Sequence, residues 1–184
     1  MSDIFVDNIK HQSSQGSGTI TLGASGETVA LASGVVQSNL NYPAFRARKS
    51  SNQNISPSTN TVITFPNEVY DTDGAYDISN SRFTVPSGKG GKYFFLFINR
   101  IRNAADITSI EYSFYVNGSK EDRLSVFHDY SSGDSQYQSY QLSTNFNLSA
   151  SDYVEVYVNH NGSGAMEING GTGITLFQGF RIGT

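Results

Sequence analysis

The sequence predicts an all-β chain folded as a jelly-roll β-sandwich, and two observations carry that prediction. Apolar and aromatic residues recur with a period of two between turn residues, in 184 residues that include 11 Tyr, 12 Phe and 18 Gly and show no sustained helical period. The run Tyr93, Phe94, Phe95, Leu96, Phe97, Ile98 is apolar on both faces of a strand, whereas an antiparallel strand usually has one dry face and one wet one. The second dry face needs a cover beyond a lone sandwich, and a sister subunit is the expected one.

Along the chain, residues 1–40 stand apart as poor in aromatics and rich in Gly, Ser, Thr and Ala. Thr19-Ile20-Thr21-Leu22-Gly23-Ala24-Ser25-Gly26 is echoed by Thr28-Val29-Ala30-Leu31-Ala32-Ser33-Gly34. Each copy runs Thr, apolar, small, Leu and then a Ser-Gly turn, which suits a short strand and a tight corner. So few apolar residues cannot hold a core of their own, so this segment is expected to order against a partner or by winding with copies of itself. A flexible tail is the alternative. The domain boundary is placed near residue 40, with an attachment segment over 1–40 and a knob over 41–184.

Strands are then predicted at 44–49, 61–65, 82–85, 93–98, 110–116, 124–127, 137–142, 153–158 and 174–182, roughly the eight to ten that a two-sheet jelly roll needs. Gly88-Lys89-Gly90-Gly91 is a turn leading into the aromatic run. Asn117-Gly118 and Asn161-Gly162 are predicted two-residue hairpin turns, because both central positions of the favoured turn need positive φ. Ile110, Tyr112, Phe114 and Val116 share one strand face. Val154, Val156 and Val158 share another, opposite Tyr153, Glu155 and Tyr157.

Composition excludes several function classes. A net charge of −4 and a pI near 5.2 leave no cationic footprint for nucleic acid. With no Cys there is no disulfide framework, thiolate metal site or thiol nucleophile. No apolar stretch approaches membrane-spanning length, and Met1-Ser2-Asp3-Ile4-Phe5 does not open a secretory signal, so synthesis in a cytoplasm without membrane insertion is expected.

An ordered series of motifs resembles the globular head of the first complement component, whose jelly roll is shared with tumour necrosis factor. Ala44-Phe45-Arg46-Ala47 resembles the opening strand of that family. Tyr76-Asp77 followed by Arg82-Phe83-Thr84-Val85-Pro86 resembles its next signature, and Gly91-Lys92-Tyr93-Phe94-Phe95 the strand after it. Leu148, Asp152-Tyr153-Val154 and the closing Phe177-Gln178-Gly179-Phe180-Arg181-Ile182 complete the order. The resemblance implies a homotrimer, with Tyr93, Phe94, Phe95, Leu96, Phe97, Ile98, Phe177 and Phe180 divided between core and subunit interface. Animal members carry a signal peptide and a collagen-like stalk, and residues 1–40 have neither. The stretch from Gly16 to Val29 instead resembles leader segments of fibre and appendage proteins of tailed bacteriophages. That likeness implies a virion location, with Ile4, Phe5, Ile20, Leu22, Val29 and Leu31 as candidate contacts to other virion proteins.

Chemistry-bearing candidates are few. Asp71-Thr72-Asp73-Gly74 opens like a calcium loop, yet Arg82 stands where such a loop needs its twelfth-position Glu. The expectation is therefore a plain turn and no cofactor, with calcium at Asp71, Asp73 and Asp77 as the alternative. Asp152 is a further candidate ligand, and like Asp77 it matches a signature position of the resembled family that can be structural. His11, His128 and His160 have no zinc or acid-base spacing and are expected on the surface. No Gly-x-Ser-x-Gly elbow occurs, and Glu121-Asp122, expected on a turn, do not offer the separated carboxylates of a glycosidase, so no enzymatic activity is predicted. Arg46, Arg48, Arg100 and Arg102 alternate along strands, as a solvated edge or as an anion or sugar contact. Tyr130, Tyr137 and Tyr140 fall in a Ser/Gln-rich segment, 129–141, predicted to be a loop suited to a host glycan or protein.

These expectations amount to a bacteriophage structural protein, a homotrimeric fibre or spike whose knob binds a host surface receptor or decorates the particle. The alternative is a free carbohydrate-binding module or soluble trimeric ligand of the same jelly-roll family.

Overall fold

The computed structural model describes residues 42–102, 107–127, 137–171 and 173–183. Its strands are β1 (Ala44–Arg48), β2 (Gln53–Ile55), β3 (Thr61–Val62), β4 (Asn67–Asp71), β5 (Tyr76–Asp77), β6 (Arg82–Thr84), β7 (Gly91–Arg102), β8 (Ser109–Val116), β9 (Ser119–Phe127), β10 (Tyr137–Leu148), β11 (Tyr153–His160), β12 (Met166–Ile168) and β13 (Leu176–Gly183). Among the described residues there is no helix, so none is long and apolar enough to cross a membrane.

The strands form two antiparallel sheets stacked as a jelly-roll sandwich. In the first, β10 runs along one edge of β7 while β13 and β12 share the other; β1 and β4 continue beyond β13, and β2 beyond β12. The second has the order β5-β6-β11-β8-β9, with β3 also on β11. Strands β1 and β13, distant in sequence, are therefore neighbours at the centre of the first sheet.

Alternation along β7 decides which residues enter the core. Tyr93, Phe95, Phe97 and Ile101 are fully buried against the second sheet, and Phe94, Leu96 and Ile98 point the other way. The second sheet answers with Phe83, Tyr112, Phe114, Val154, Val156 and Val158. Rings dominate the packing. Phe45 stacks on Tyr76 and on Phe83 at 5.0 Å each and meets Phe177 edge-on at 4.8 Å, arrangements favoured by the ring quadrupoles. The buried hydroxyls are satisfied: Tyr76 donates to the Phe65 carbonyl (3.1 Å), and the Asn99 amide donates to Tyr112 (2.8 Å).

Gly179 is required by this packing. A Cβ there would lie 2.6 Å from Cδ1 of Phe95, so the ring seats against bare backbone. Asn117 and Gly118, at φ +52° and +78°, form the predicted turn between β8 and β9.

Three expectations are corrected. Asn161-Gly162 is not a hairpin turn, because the chain leaves β11 for β12 in the other sheet. The Asn161 carboxamide instead accepts from the backbone N–H groups of Thr108 (3.0 Å) and Ser109 (2.9 Å), capping the entry to β8. Glu121 and Asp122 lie within β9 rather than on a turn. Of the two overlapping expectations for 137–141, the strand predicted at 137–142 holds and the loop predicted over 129–141 does not reach past residue 136, since β10 pairs with β7 from Tyr137 through Leu148.

Candidate functional site: an uncovered apolar sheet face

The outward face of the first sheet is read from its register. Phe94 sits opposite Phe180, Leu96 opposite Gln178 and Ile98 opposite Leu176. The rings of Phe94 and Phe180 pack at 5.4 Å. Phe180 nevertheless remains 45% exposed, and Phe94, Leu96 and Ile98 are only partly covered. A stripe of large apolar side chains thus runs down the middle of a solvent-facing sheet.

Its borders are polar. On the β10 side the row partners are Asn145, Ser143 and Gln141. On the β1 side Arg46 lies opposite Gln178 and Arg48 opposite Leu176, with Tyr70 beyond Arg46. An apolar centre rimmed by amides, hydroxyls and guanidiniums is the anatomy of a protein contact surface. The predicted group is therefore sorted: Tyr93, Phe95, Phe97 and Phe177 are core, and Phe94, Leu96, Ile98 and Phe180 form the stripe. Arg46 and Arg48 are not on a sheet edge as expected, since β1 lies between β13 and β4. Arg100 stacks its guanidinium 4.7 Å from the Tyr137 ring centre.

The other predicted residues are distributed differently. Tyr137 and Tyr140 occupy β10 rather than a loop, and alternation sends them to opposite faces. Tyr137 is 57% exposed beside Arg100, while Tyr140 packs at 5.6 Å on Tyr112 of the core. The structure therefore does not join them into one recognition loop. Tyr130, His11, His128 and the leader residues Ile4, Phe5, Ile20, Leu22, Val29 and Leu31 lie outside the described residues.

The Asp71 carboxylate accepts from the N–H groups of Tyr76 (2.7 Å) and Asp73 (3.2 Å), and Asp73 accepts from the Thr72 hydroxyl (3.2 Å). Asp77 closes a separate turn by accepting from the N–H of Ser79 (2.8 Å), and the Asn80 side-chain amide holds its carboxyl below the usual range. Among the described residues, no three His, Asp or Glu side chains gather as a metal set. Asp152 accepts from the Asn117 amide (2.8 Å) and the Ser149 N–H (2.7 Å), tying the β8–β9 turn to the start of β11.

Sequence reasoning missed two buried polar side chains. His160 is 1% exposed, not on the surface, and its Nε2 lies 2.9 Å from the Ile55 carbonyl. Lys49 is 2% exposed; its ammonium donates to Gln53 Oε1 (2.8 Å), the Thr64 carbonyl (2.9 Å) and Thr64 Oγ1 (2.8 Å). Burial lowers its pKa to about 8. Both sit at strand ends, where a polar residue in a sequence ordinarily reads as solvated.

Comparison with known proteins bears on this geometry. The family model described as "C1q domain" matches residues 44–182. Among solved structures, the globular domain of zebrafish complement 1qA protein is similar at 15% identity and a TM-score of 0.53, covering 77% of this chain and 98% of that one. Murine APRIL is similar at 12% identity and a TM-score of 0.56, covering 77% and 99%. At such identities the likeness concerns the fold alone. No curated protein matches the chain.

Proposed function

The chain belongs to the C1q domain family, and from that premise we propose that it is a non-catalytic, homotrimeric appendage of a bacteriophage particle, a knob carried on an attachment segment formed by residues 1–40. The observation that carries the trimer is the uncovered stripe of Phe94, Leu96, Ile98 and Phe180 on a sheet whose other face already fills the core. Three copies set around an axis would bring three such stripes together and remove them from water, at roughly 25 cal/mol for each Å² covered. The resemblance to complement heads and tumour necrosis factor supports that occupant, a copy of the same chain, over an unrelated partner.

The virion assignment is supported by the leader, in which Gly16 to Val29 resembles segments of phage appendage proteins. In this reading the knob points outward, available to a host surface glycan or protein, and residues 1–40 dock on other virion proteins.

The test has two parts. Native mass measurement of the full chain should give a trimer; a monomer at micromolar concentration would remove the assembly. Deleting residues 1–40 should leave a trimeric knob that no longer enters particles. Undiminished incorporation, or absence of the protein from purified virions, would sink the viral reading and leave a free trimeric ligand or carbohydrate-binding module.

A further inference from the structure

The outer face of the second sheet carries a different kind of surface. A cleft of about 380 Å³ opens at one end of β8 and β11, lined by Asn60, Ser109, Glu111, Lys120, Asn159 and Asn161, with His160 behind them. Its size falls in the range of small-molecule sites, ~300–1,000 Å³. Its chemistry does not resemble the usual apolar pocket, because every side chain lining it is polar.

Charge narrows the ligand. Lys120 and Glu111 are the lining residues of opposite charge, and they pair with each other. The cleft is thus close to neutral overall, whereas an anion such as phosphate calls for clustered cations. Hydrogen-bonding capacity narrows it further. The Asn159 amide donates to the Asn60 carboxamide oxygen at 3.0 Å, which leaves Asn60 Nδ2 as donor and Asn159 Oδ1 as acceptor for something else. Asn161, by contrast, is committed to Thr108 and Ser109 and serves as wall.

Next to these amides the sheet presents rings. Tyr157 lies two residues from Asn159 on the same face of β11, and its ring packs 4.1 Å from that of Tyr115 on β8. Tyr115 pairs in register with Lys120, and Asn159 with Glu111, so ring pair and cleft are contiguous. An apolar shelf beside alternating neutral donors and acceptors matches a ligand with C–H faces and many hydroxyls.

We propose that this cleft and the Tyr115–Tyr157 shelf form a binding site for a neutral carbohydrate, one sugar ring stacking on Tyr157 while hydroxyls of the next engage Asn60, Asn159, Glu111 and Lys120. The site lies on the sheet opposite the apolar stripe, so three copies joined through that stripe leave it open. It makes more specific the outward-facing recognition role proposed above, but needs neither the trimer nor the virion.

The full chain is probed on an array of neutral oligosaccharides of glucose, galactose, mannose and N-acetylglucosamine, beside sialylated and sulfated ones, and the tightest binder is titrated calorimetrically. Binding to a neutral oligosaccharide is expected, weakened at least about tenfold by Asn60→Ala and by Tyr157→Ala and unchanged by Glu68→Gln, an exposed position of β4 on the other sheet. Should Tyr157→Ala fail to fold, Asn60→Ala and Lys120→Gln, both at exposed positions, carry the test. No neutral binder at about 1 mM, binding confined to acidic glycans, or unaltered affinity in Asn60→Ala and Lys120→Gln each overturns the proposal. A monomer that binds as expected keeps this site and removes only the trimer.

Discussion

At the scale of the residue, Gly179 shows how closely this core is fitted. A methyl group there would meet Phe95 Cδ1 at 2.6 Å, Phe95 Cε1 at 2.8 Å and the Phe94 carbonyl at 2.9 Å. The Phe95 ring has little room to retreat, having Phe83, Phe114 and Phe177 around it at 5.6, 6.2 and 6.0 Å. Gly179→Ala should therefore cost about 1–3 kcal/mol in urea unfolding, the range of overpacked cores; parental stability would mean that the ring moves aside freely. Sequence alone flagged Phe95 and Phe177 but not Gly179, since a glycine inside a strand reads equally as a bulge, a bend or a close approach. His160 and Lys49 were illegible for a related reason. Their partners, the Ile55 carbonyl for one and Gln53 and Thr64 for the other, are supplied by the fold rather than by residue type.

At the scale of the element, β7 was the most legible strand and also the most ambiguous. Its existence followed from six consecutive apolar residues, but an apolar run with period two on both faces looks the same whichever face turns inward. The sandwich resolves it: odd positions enter the core and even ones do not. Phe95→Asp buries an unpaired charge, costs on the order of several kcal/mol and should abolish the cooperative melting transition. Phe94→Asp should leave that transition and the strand signal in circular dichroism intact while shifting the particle mass from trimer to monomer. If Phe94→Asp stays trimeric, the stripe is not the contact between copies. The two Asn-Gly pairs make a matching contrast. Asn117-Gly118 joins strands adjacent in one sheet and folds as its sequence predicts, whereas after Asn161-Gly162 the chain must cross to the other sheet, a fact no dipeptide carries. The polar cleft was equally hidden, because its lining arrives from separate segments that only β3, β8, β9 and β11 bring together.

At the scale of the whole molecule, stability against pH should be dome-shaped on the alkaline side. The Lys49 pKa is lowered in the fold, from 10.5 to about 8, so between those values the unfolded chain binds more protons and stability rises with pH. Tyr76, Tyr93, Tyr112 and Tyr157 have raised values through burial, so above about 10 the unfolded chain loses protons that the fold retains, and stability falls. The urea midpoint should accordingly climb from pH 8 toward about 9.5 and then drop, and Lys49→Met should flatten the climb while leaving the drop. A steady decline from pH 8 in the parent would show that Lys49 keeps its ordinary basicity. The jelly-roll class and the family were legible at this scale because many motifs had to occur in order, a constraint stronger than any single strand. The interleaving of β13 between β1 and β7 carries one more consequence, for biosynthesis. A nascent polypeptide emerging from the ribosome has made β1 and β7 long before the strand that zips them together exists, so the first sheet must wait with a gap at its centre until 176–183 have been translated. A message cut short ahead of that codon stretch would yield a product with its middle missing, prone to clumping and fit only for proteolysis.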